Sequence, residues 1–411
     1  MRRLWVISAV LIIELSLTAC GSRTELNDLG ITIATGIDGH KGDWTVTYQV
    51  ILPSAMSSSL GGSAGGGSSQ AAVHTFSTQG KTIREAIDIS NLENPRKLYF
   101  AHNNVIIIGK QAAEEGIEEV IDNYFRNPDA RETVKVLVAD RKAREILIQL
   151  LPPEKLPGQA LSKILQKDDQ TGSFYPSISI YELALKISSD SGSSGVPEVS
   201  IAGSDDATLE SADISKKTSS KANLRLTGLS IFDRARKVGT LNQAESLGIS
   251  WLTNHMKSST LSFEDENAKS AEKALSSFRI IKAKVKVTPV KGPLHFSLDV
   301  KVKVAGELVI SNSEEDPAKT ESIKKMQHQV EKVIELQIKE GWKTVQKLHI
   351  DLVGIADKIH RKYPRYWKET KKNWPEELSR MDINIDVQAS IKRPGLFQKS
   401  FSNLLKSNTD Q

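Results

Sequence analysis

Strand-like and helix-like patterns alternate through the first 190 residues. Residues 31–37 and 45–52 alternate or are β-branched, with turn residues between them, and so predict a β-hairpin. Residues 103–109 (NNVIIIG) form an apolar run typical of a strand buried on both faces. The remaining patterns predict strands at 73–78 and 133–139, and helices at 83–92, 111–125, 141–151 and 178–187. This alternation indicates an α/β first domain.

Two polar segments interrupt this pattern. Residues 54–72 are dominated by Ser, Gly and Ala, which bury too little apolar area to order themselves, so a long mobile loop is predicted. A second Ser/Gly-rich stretch, residues 188–195, is interpreted as the first domain boundary. Beyond it the sequence predicts a strand at 224–232, a helix at 243–252, and a loop or solvated helix at 262–277.

The last unit begins with two strongly alternating segments, residues 281–287 (IKAKVKV) and 296–304 (FSLDVKVKV). One apolar and one lysine-rich face predict strands whose sheet packs on one side only. Apolar residues from Ile323 to Ile338 recur at three- and four-residue steps, which predicts a long helix, with Gly341 or Gly354 expected to break it. Residues 381–391 return to strand alternation.

These patterns predict a fold between α/β and α+β, made of three consecutive mixed domains. Residues 20–195 form the first domain and residues 196–278 a small middle domain. Residues 279–411 form a one-sided antiparallel sheet packed by long helices.

The N-terminus has the pattern of a lipoprotein signal peptide over residues 1–19. Arg2 and Arg3 precede a mostly apolar stretch of about a dozen residues, too short to span a bilayer. It ends in Leu17-Thr18-Ala19-Cys20-Gly21, which predicts cleavage between Ala19 and Cys20 and attachment of a diacylglycerol to the Cys20 thiol. Cys20 is the only cysteine of 411 residues, so no intramolecular disulfide forms. Two acyl chains are sufficient for stable anchoring.

Composition and motifs argue against nucleic-acid binding, metal binding and catalysis. The net charge of +5 has no concentrated basic run behind it, which argues against nucleic-acid binding. The eight histidines are scattered without an HExxH pattern, and no GxSxG elbow occurs. Two SxxK matches lie in polar, lysine-rich helical sequence where they arise by chance. The sequence therefore predicts a non-enzymatic protein without a metal or cofactor other than its lipid.

An aromatic cluster near the end of the chain lies among basic residues. Tyr363, Tyr366, Trp367 and Trp374 fall within twelve positions. Trp367 and Trp374 are interpreted as core residues, while the basic side chains form either a membrane surface or a partner-docking surface. The candidate surface residues are Arg361, Lys362, Arg365, Tyr366 and Lys368.

Several segments, in order, resemble the Ger(x)C family, the lipoprotein C subunits of nutrient germinant receptors of Bacillus- and Clostridium-type spores. In the first half they are ELNDLG (25–30), GID (36–38), NPRKLYFAH (94–102), VIIIG (105–109) and DNYFRNPDAR (122–131). In the second half they are LTGLSIF (226–232), VGTL (238–241), GISWL (248–252), DLVG (351–354), Tyr363-Pro364, Trp367 and Trp374. Asn127 and Ala130 stand where the family usually has acidic residues.

The resemblance implies three α/β-type domains anchored through Cys20 to the outer face of the spore's inner membrane. It implies assembly with an integral A subunit and a transporter-like B subunit, without catalytic residues, so that nutrients trigger germination. The germinant is not expected to bind this subunit directly. Two other classes stay open: a lipid-anchored solute-binding protein, with two similar lobes around a hinged cleft, and an envelope hydrolase.

Overall fold

The computed structural model describes Trp5 and residues 28–52, 71–152, 154–203, 222–264, 275–310 and 319–393. In these ranges, strands and helices form two sheets with helices packed against them, which confirms the expected mixture of α/β and α+β architecture.

The first sheet has nine strands within the described ranges, in the order β3-β2-β1-β5-β6-β7-β8-β9, with β4 beside β1. Its strands are β1 (Leu29–His40), β2 (Asp43–Ile51), β3 (Val73–Gly80), β4 (Lys97–Tyr99), β5 (Val105–Ile108), β6 (Lys135–Ala139), β7 (Ser193–Gly203), β8 (Ala222–Asp233) and β9 (Arg236–Leu241). β1, β5, β6 and β7 pair in parallel, and antiparallel strands flank them on both sides. The predicted hairpin and the buried strand are confirmed.

Helices cover both faces of the central parallel strands. They are α1 (Ile83–Glu93), α2 (Lys110–Glu115), α3 (Glu118–Arg126), α4 (Ala143–Leu147), α5 (Pro157–Lys167) and α6 (Ile180–Ser188). Ile106 and Ile108 of β5 belong to the core under α1, α2, α3 and α6, whereas Val105 and Ile107 belong to the core under α4 and α5. Burial on both faces explains why β5 is apolar at every position.

Two predicted helices differ from the structure. The helix predicted at 111–125 is divided into α2 and α3 at Gly116, whose φ of 136° is outside the helical region. The next residue, Ile117, donates its backbone N–H to Ala235 O over 2.9 Å, which turns the chain onto the β8–β9 hairpin. The helix predicted at 141–151 is limited to Ala143–Leu147.

The second sheet has the order β10-β11-β12-β13, with its helices on one face. Its strands are β10 (Thr260–Glu264), β11 (Leu275–Lys291), β12 (Phe296–Ile310) and β13 (Asp382–Arg393). The helices are α7 (Gln243–Leu252), α8 (Thr320–Leu348), α9 (Ile355–Lys362), α10 (Pro364–Thr370) and α11 (Trp374–Arg380). Lys282, Lys284, Lys286, Lys301 and Lys303 are exposed on the opposite face, as the alternation predicts.

The expectation of an all-antiparallel second sheet was wrong. β10, β11 and β12 pair antiparallel, but β13 pairs parallel to β12 from Ser297↔Asp382 onward. The chain reaches β13 through α8 to α11, and a helical crossover of this length returns it in the same direction. Of the segment predicted as a loop or solvated helix at 262–277, residues 262–264 belong to β10 and residues 275–277 begin β11. Residues 265–274 lie outside the described residues, so the prediction for them stays a prediction.

The segment 196–278 is divided between the two sheets. The boundary expected at residue 195 falls inside β7, which pairs with β6 on one side and β8 on the other. Gly195 lies at a close approach inside the strand, because a Cβ there would lie 2.6 Å from the buried Leu229 side chain, which would have to shift. β8 and β9 complete the first sheet, whereas α7 and β10 join the second core.

Helix α7 connects the two units through a close contact with α8. Gly248 and Gly341 face each other at the crossing, where a Cβ on Gly341 would lie 2.6 Å from the backbone carbon of Gly248. Beside this contact the indole Nε1 of Trp251 donates to Gln337 Oε1 over 2.9 Å. The helix therefore continues through Gly341 instead of ending there, and Gly354 is the residue that precedes α9.

Candidate functional site

Helices α9 and α10 carry the candidate surface residues. The buried carboxylate of Asp351 fixes the start of α9, because it accepts the backbone N–H groups of Ile355 over 2.9 Å and Ala356 over 2.7 Å. Burial raises the pKa of Asp351, and these bonds oppose that shift. Gly354, at φ 73°, makes the left-handed turn before the helix.

The structure brings the five predicted residues together, because they lie on two consecutive short helices. Arg361, Lys362, Arg365 and Lys368 are exposed, and Tyr366 is half-buried. The opposite sides of the same helices bury Ile355, Ala356, Ile359 and Trp367 in the second core. These five residues are called the basic surface below, and its role as a membrane or partner surface stays a prediction.

Aromatic rings support part of the basic surface. The Phe296 ring lies 5.7 Å from Tyr366, edge to face, and 5.4 Å from Tyr363. Lys291 Nζ lies 4.0 Å from the centre of the Tyr366 ring, a cation–π distance. Lys362 Nζ donates to the backbone oxygen of Pro289 over 3.3 Å. These contacts hold Lys362 and Tyr366 of the basic surface against β11 and β12.

The two tryptophans of the cluster are core residues. Trp367 is 2% exposed and Trp374 is 7% exposed, and their ring centres lie 5.2 Å apart at an interplanar angle of 72°. This confirms the structural interpretation of both side chains.

A junction between the two units, absent from the sequence predictions, lies beside the basic surface. Asp190, in the loop after α6, has Oδ2 2.5 Å from His360 Nδ1, and its Oδ1 accepts the indole N–H of Trp367 over 3.3 Å. Lys371 Nζ lies 3.8 Å from the same Oδ1. Burial opposes ionisation of Asp190, but the bond and charge of His360, with the bond from Trp367, lower its pKa overall.

A second carboxylate completes this junction. Asp357 accepts hydrogen bonds from the Ser189 hydroxyl over 3.0 Å, the Ser191 hydroxyl over 2.5 Å and the backbone N–H of Asp190 over 3.1 Å. The Ser193 hydroxyl donates to Asp351 O over 2.7 Å. The polar composition of residues 188–195 therefore serves to fasten the loop to α9, although the composition alone suggested a linker.

In the first unit, the GID segment has a structural role. Asp38 accepts the backbone N–H groups of Ala143 over 2.7 Å and Arg144 over 3.0 Å, which caps α4 from 105 positions away. A Cβ on Gly109 would lie 2.0 Å from Asp38 Oδ1, so glycine is needed there for the carboxylate to reach the helix. Burial raises the pKa of Asp38, and both hydrogen bonds oppose that shift.

Tyr124 of the DNYFRNPDAR segment also makes a polar contact inside the first unit. Asn103 Nδ2 lies 3.0 Å from Thr35 Oγ1 and 2.5 Å from the buried Tyr124 hydroxyl. Burial raises the pKa of Tyr124, which keeps the phenol neutral. These polar contacts connect the loop before β5 to β1 and α3.

Within the described ranges, no group of three or more His, Cys, Asp or Glu side chains is placed to hold a metal ion. In the same part of the chain, no helix has the length and apolar character needed to cross a membrane. Ala19 and Cys20 lie outside the described residues, as do residues 53–70 of the Ser/Gly-rich segment, so the predictions for them stay predictions.

Two family models match consecutive parts of this chain. Residues 22–201 match the spore germination protein N-terminal domain, and residues 227–395 match the spore germination B3/GerAC-like C-terminal domain. The first match ends inside β7 and the second begins inside β8, although these two strands pair with each other.

Three relatives match over most of their length. Spore germination protein KC of Bacillus subtilis is 28% identical over 95% of this chain and 96% of its own. Spore germination protein YndF of the same organism is 24% identical over 96% of this chain and 97% of its own. Spore germination protein GerQC of Bacillus cereus is 21% identical over 81% of this chain and 85% of its own.

A solved structure has the same fold. The crystal structure of the GerBC protein matches with a TM-score of 0.51 and 20% identity, covering 87% of this chain and 96% of that one.

Proposed function

Because this chain belongs to the Ger(x)C family of spore germination proteins, we propose that it is a lipid-anchored, non-catalytic subunit of a nutrient germinant receptor. The observation that carries the proposal is the extent of the match: both family models fit in order, and the relatives named for spore germination align along almost the entire chain.

The anchor proposed at Cys20 would place the N-terminal ends of β1 and β4 near the membrane. Cys20 lies nine positions before Leu29, the first residue of β1. An extended segment of this length reaches at most about 30 Å. β4 begins beside Leu29, where Lys97 is its partner, so the N-terminal ends of these parallel strands lie within that distance of the lipid.

The proposed partners are the integral A subunit and the transporter-like B subunit, at the outer face of the spore's inner membrane. An interaction role fits a chain in which the polar motif residues Asp38 and Tyr124 form hydrogen bonds within the fold. The basic surface is the proposed contact with a partner or with anionic lipid.

The alternative of a solute-binding protein with two similar lobes has less support. The two sheets differ in strand number, order and direction: one has a parallel centre flanked by antiparallel strands, and the other has one parallel edge strand. This difference favours the subunit proposal.

The test compares nutrient-triggered germination of spores that carry Cys20→Ala with spores that carry Thr24→Ala and with wild type. Thr24 lies in the same segment but has no thiol for a lipid. We expect Cys20→Ala alone to move the protein out of the membrane fraction and to slow germination.

Deletion of the whole gene separates the two parts of the proposal. If Cys20→Ala protein stays in the membrane fraction, the lipid anchor is refuted. If deletion spores germinate normally with each nutrient to which the wild type responds, the receptor role is refuted.

A further inference from the structure

A cavity of about 320 Å³ lies at the boundary between the two units. The end of α6 and the loop after it form one side, and α9 forms another. The loop after α7 and strand β11 close the rest, with Leu252, Val285 and Leu352 among the apolar lining residues. The volume is at the lower end of the range for small-molecule sites.

The charged side chains of this cavity are mainly basic. Lys186, Lys358 and Arg361 line it together with His255, and Asp357 is its one acidic lining residue among the described residues. Asp357 accepts three hydrogen bonds from the loop of residues 189–191. The cavity is therefore lined by three cationic side chains and one carboxylate, whose hydrogen bonds already go to that loop.

Other carboxylates close to the cavity are also occupied. Glu182 accepts the backbone N–H and hydroxyl of Ser179, and Asp351 accepts N–H groups from the start of α9. Within the described part of the chain, neither Lys186 Nζ nor Lys358 Nζ makes a hydrogen bond or an ion pair shorter than 4 Å. Lys186 and Lys358 are both half-buried. An ammonium group partly withdrawn from water without such a partner is unfavourable, since buried charges in proteins are normally paired.

The electrostatic environment agrees with this picture. Burial lowers the pKa of Lys186 and of Lys358, and nearby carboxylates oppose both shifts. Burial and the charge of Lys186 lower the pKa of His255, whose Nδ1 lies 2.9 Å from Thr253 Oγ1. An anion in the cavity would remove much of this destabilisation.

We propose that this cavity binds a small free oxyanion, a molecule bearing a carboxylate or a phosphate group, between Lys186, Lys358 and Arg361. The ligand would contact both units at once: Lys186 comes from the first and the other two cations come from α9. The inference rests on the geometry of these residues and holds whether or not the chain is a receptor subunit.

The test titrates the full-length chain with inorganic phosphate and, separately, with malonate. Sodium chloride at matched ionic strength is the reference, and binding is measured by calorimetry and by the midpoint of thermal unfolding. Specific binding of either probe supports the site: phosphate alone assigns it to phosphoryl groups and malonate alone to carboxylates. Equal effects of both probes and chloride overturn it.

Variants make the test specific. Lys186→Gln is expected to weaken binding about tenfold, because it removes one charge-assisted hydrogen bond. Lys347→Gln, an exposed position on α8, is the matched control and leaves affinity unchanged.

The thermal stability of Lys186→Gln without a bound anion gives a second test, in which the variant should gain stability although it loses affinity. In chloride alone, Lys186→Gln is expected to raise the unfolding midpoint, because it removes an unpaired charge that is half-buried. A lower midpoint for Lys186→Gln in chloride, or equal loss of affinity in Lys347→Gln, overturns the proposal.

Discussion

The contact between Gly248 and Gly341 predicts that alanine at position 341 destabilises the protein, although helix propensity alone predicts that it stabilises. In an exposed helix interior, Gly→Ala stabilises by about 1 kcal/mol. In Gly341→Ala, however, the new Cβ would lie 2.6 Å from the backbone carbon and 2.7 Å from the Cα of Gly248. Carbon atoms in contact are normally about 3.5–4.0 Å apart, so α7 and α8 would have to separate by about 1 Å.

The atoms in the way are backbone, so no side chain can rotate to make room. Overpacking of this kind costs about 1–3 kcal/mol. Separation of the helices would also stretch the hydrogen bond from Trp251 to Gln337 and loosen the packing of the buried Trp342. We therefore expect Gly341→Ala to lower the free energy of unfolding by about 1 kcal/mol after the gain in helix propensity is included.

The assay is urea unfolding of the full-length chain, followed by tryptophan fluorescence, since two of the six tryptophans lie at this contact. Lys343→Ala, an exposed change two positions along the same helix, is the control and should alter stability by less than about 0.5 kcal/mol. An increase in the free energy of unfolding for Gly341→Ala would refute the close approach of α7 and α8.

Three further changes test other parts of the structure. Asp38→Ala should lower the free energy of unfolding by about 2 kcal/mol in urea titrations, because two backbone N–H groups of α4 lose their acceptor. Asp190→Asn should lower the free energy of unfolding by about 1 kcal/mol at pH 7, because the hydrogen bond from His360 loses its charged acceptor. The pKa of Asp190 is lowered in the folded state, so the stability difference between wild type and variant should persist above pH 3.8, the ordinary pKa of Asp, and shrink as the pH falls below it. Lys303→Glu should stabilise by about 0.2–1 kcal/mol at low salt, because Lys303 lies directly opposite Lys284 in the sheet.

Each of these has a result that would contradict it. Normal stability of Asp38→Ala would mean that α4 does not depend on the distant cap. A wild-type advantage over Asp190→Asn that grows on acidification would reverse the sign expected from the lowered pKa. Stabilisation by Lys303→Glu that persists in 1 M salt would rule out an electrostatic origin.

Elements defined by local periodicity were predictable from the sequence. The β1–β2 hairpin, the buried strand β5 and the stripe from Ile323 to Ile338 each carry their pattern within a short window. The direction of β13 was not predictable, because strand alternation is the same for parallel and antiparallel pairing. The continuation of α8 through Gly341 depends on Gly248, 93 positions earlier, which no local pattern shows.

In the candidate site, too, the residues close together in the sequence were predictable and those far apart were not. The basic surface was found because its residues lie within eight positions of one another on α9 and α10. Asp190 was missed because its partner His360 is 170 positions away, and a Ser/Gly-rich loop has the same composition whether or not it is fastened to another unit.

The position of β7 has a consequence for how the protein is made. Synthesis runs from the N-terminus, so β7 is complete before its partner β8, whose last residue, Asp233, follows Gly203 by 30 positions. Until β8 follows, the edge of the sheet at β7 stays unpaired. Open sheet edges recruit other strands, so a fragment ending at residue 201, where the first family match stops, should aggregate instead of folding as a domain. The two halves that the family models separate therefore depend on each other to complete the first sheet.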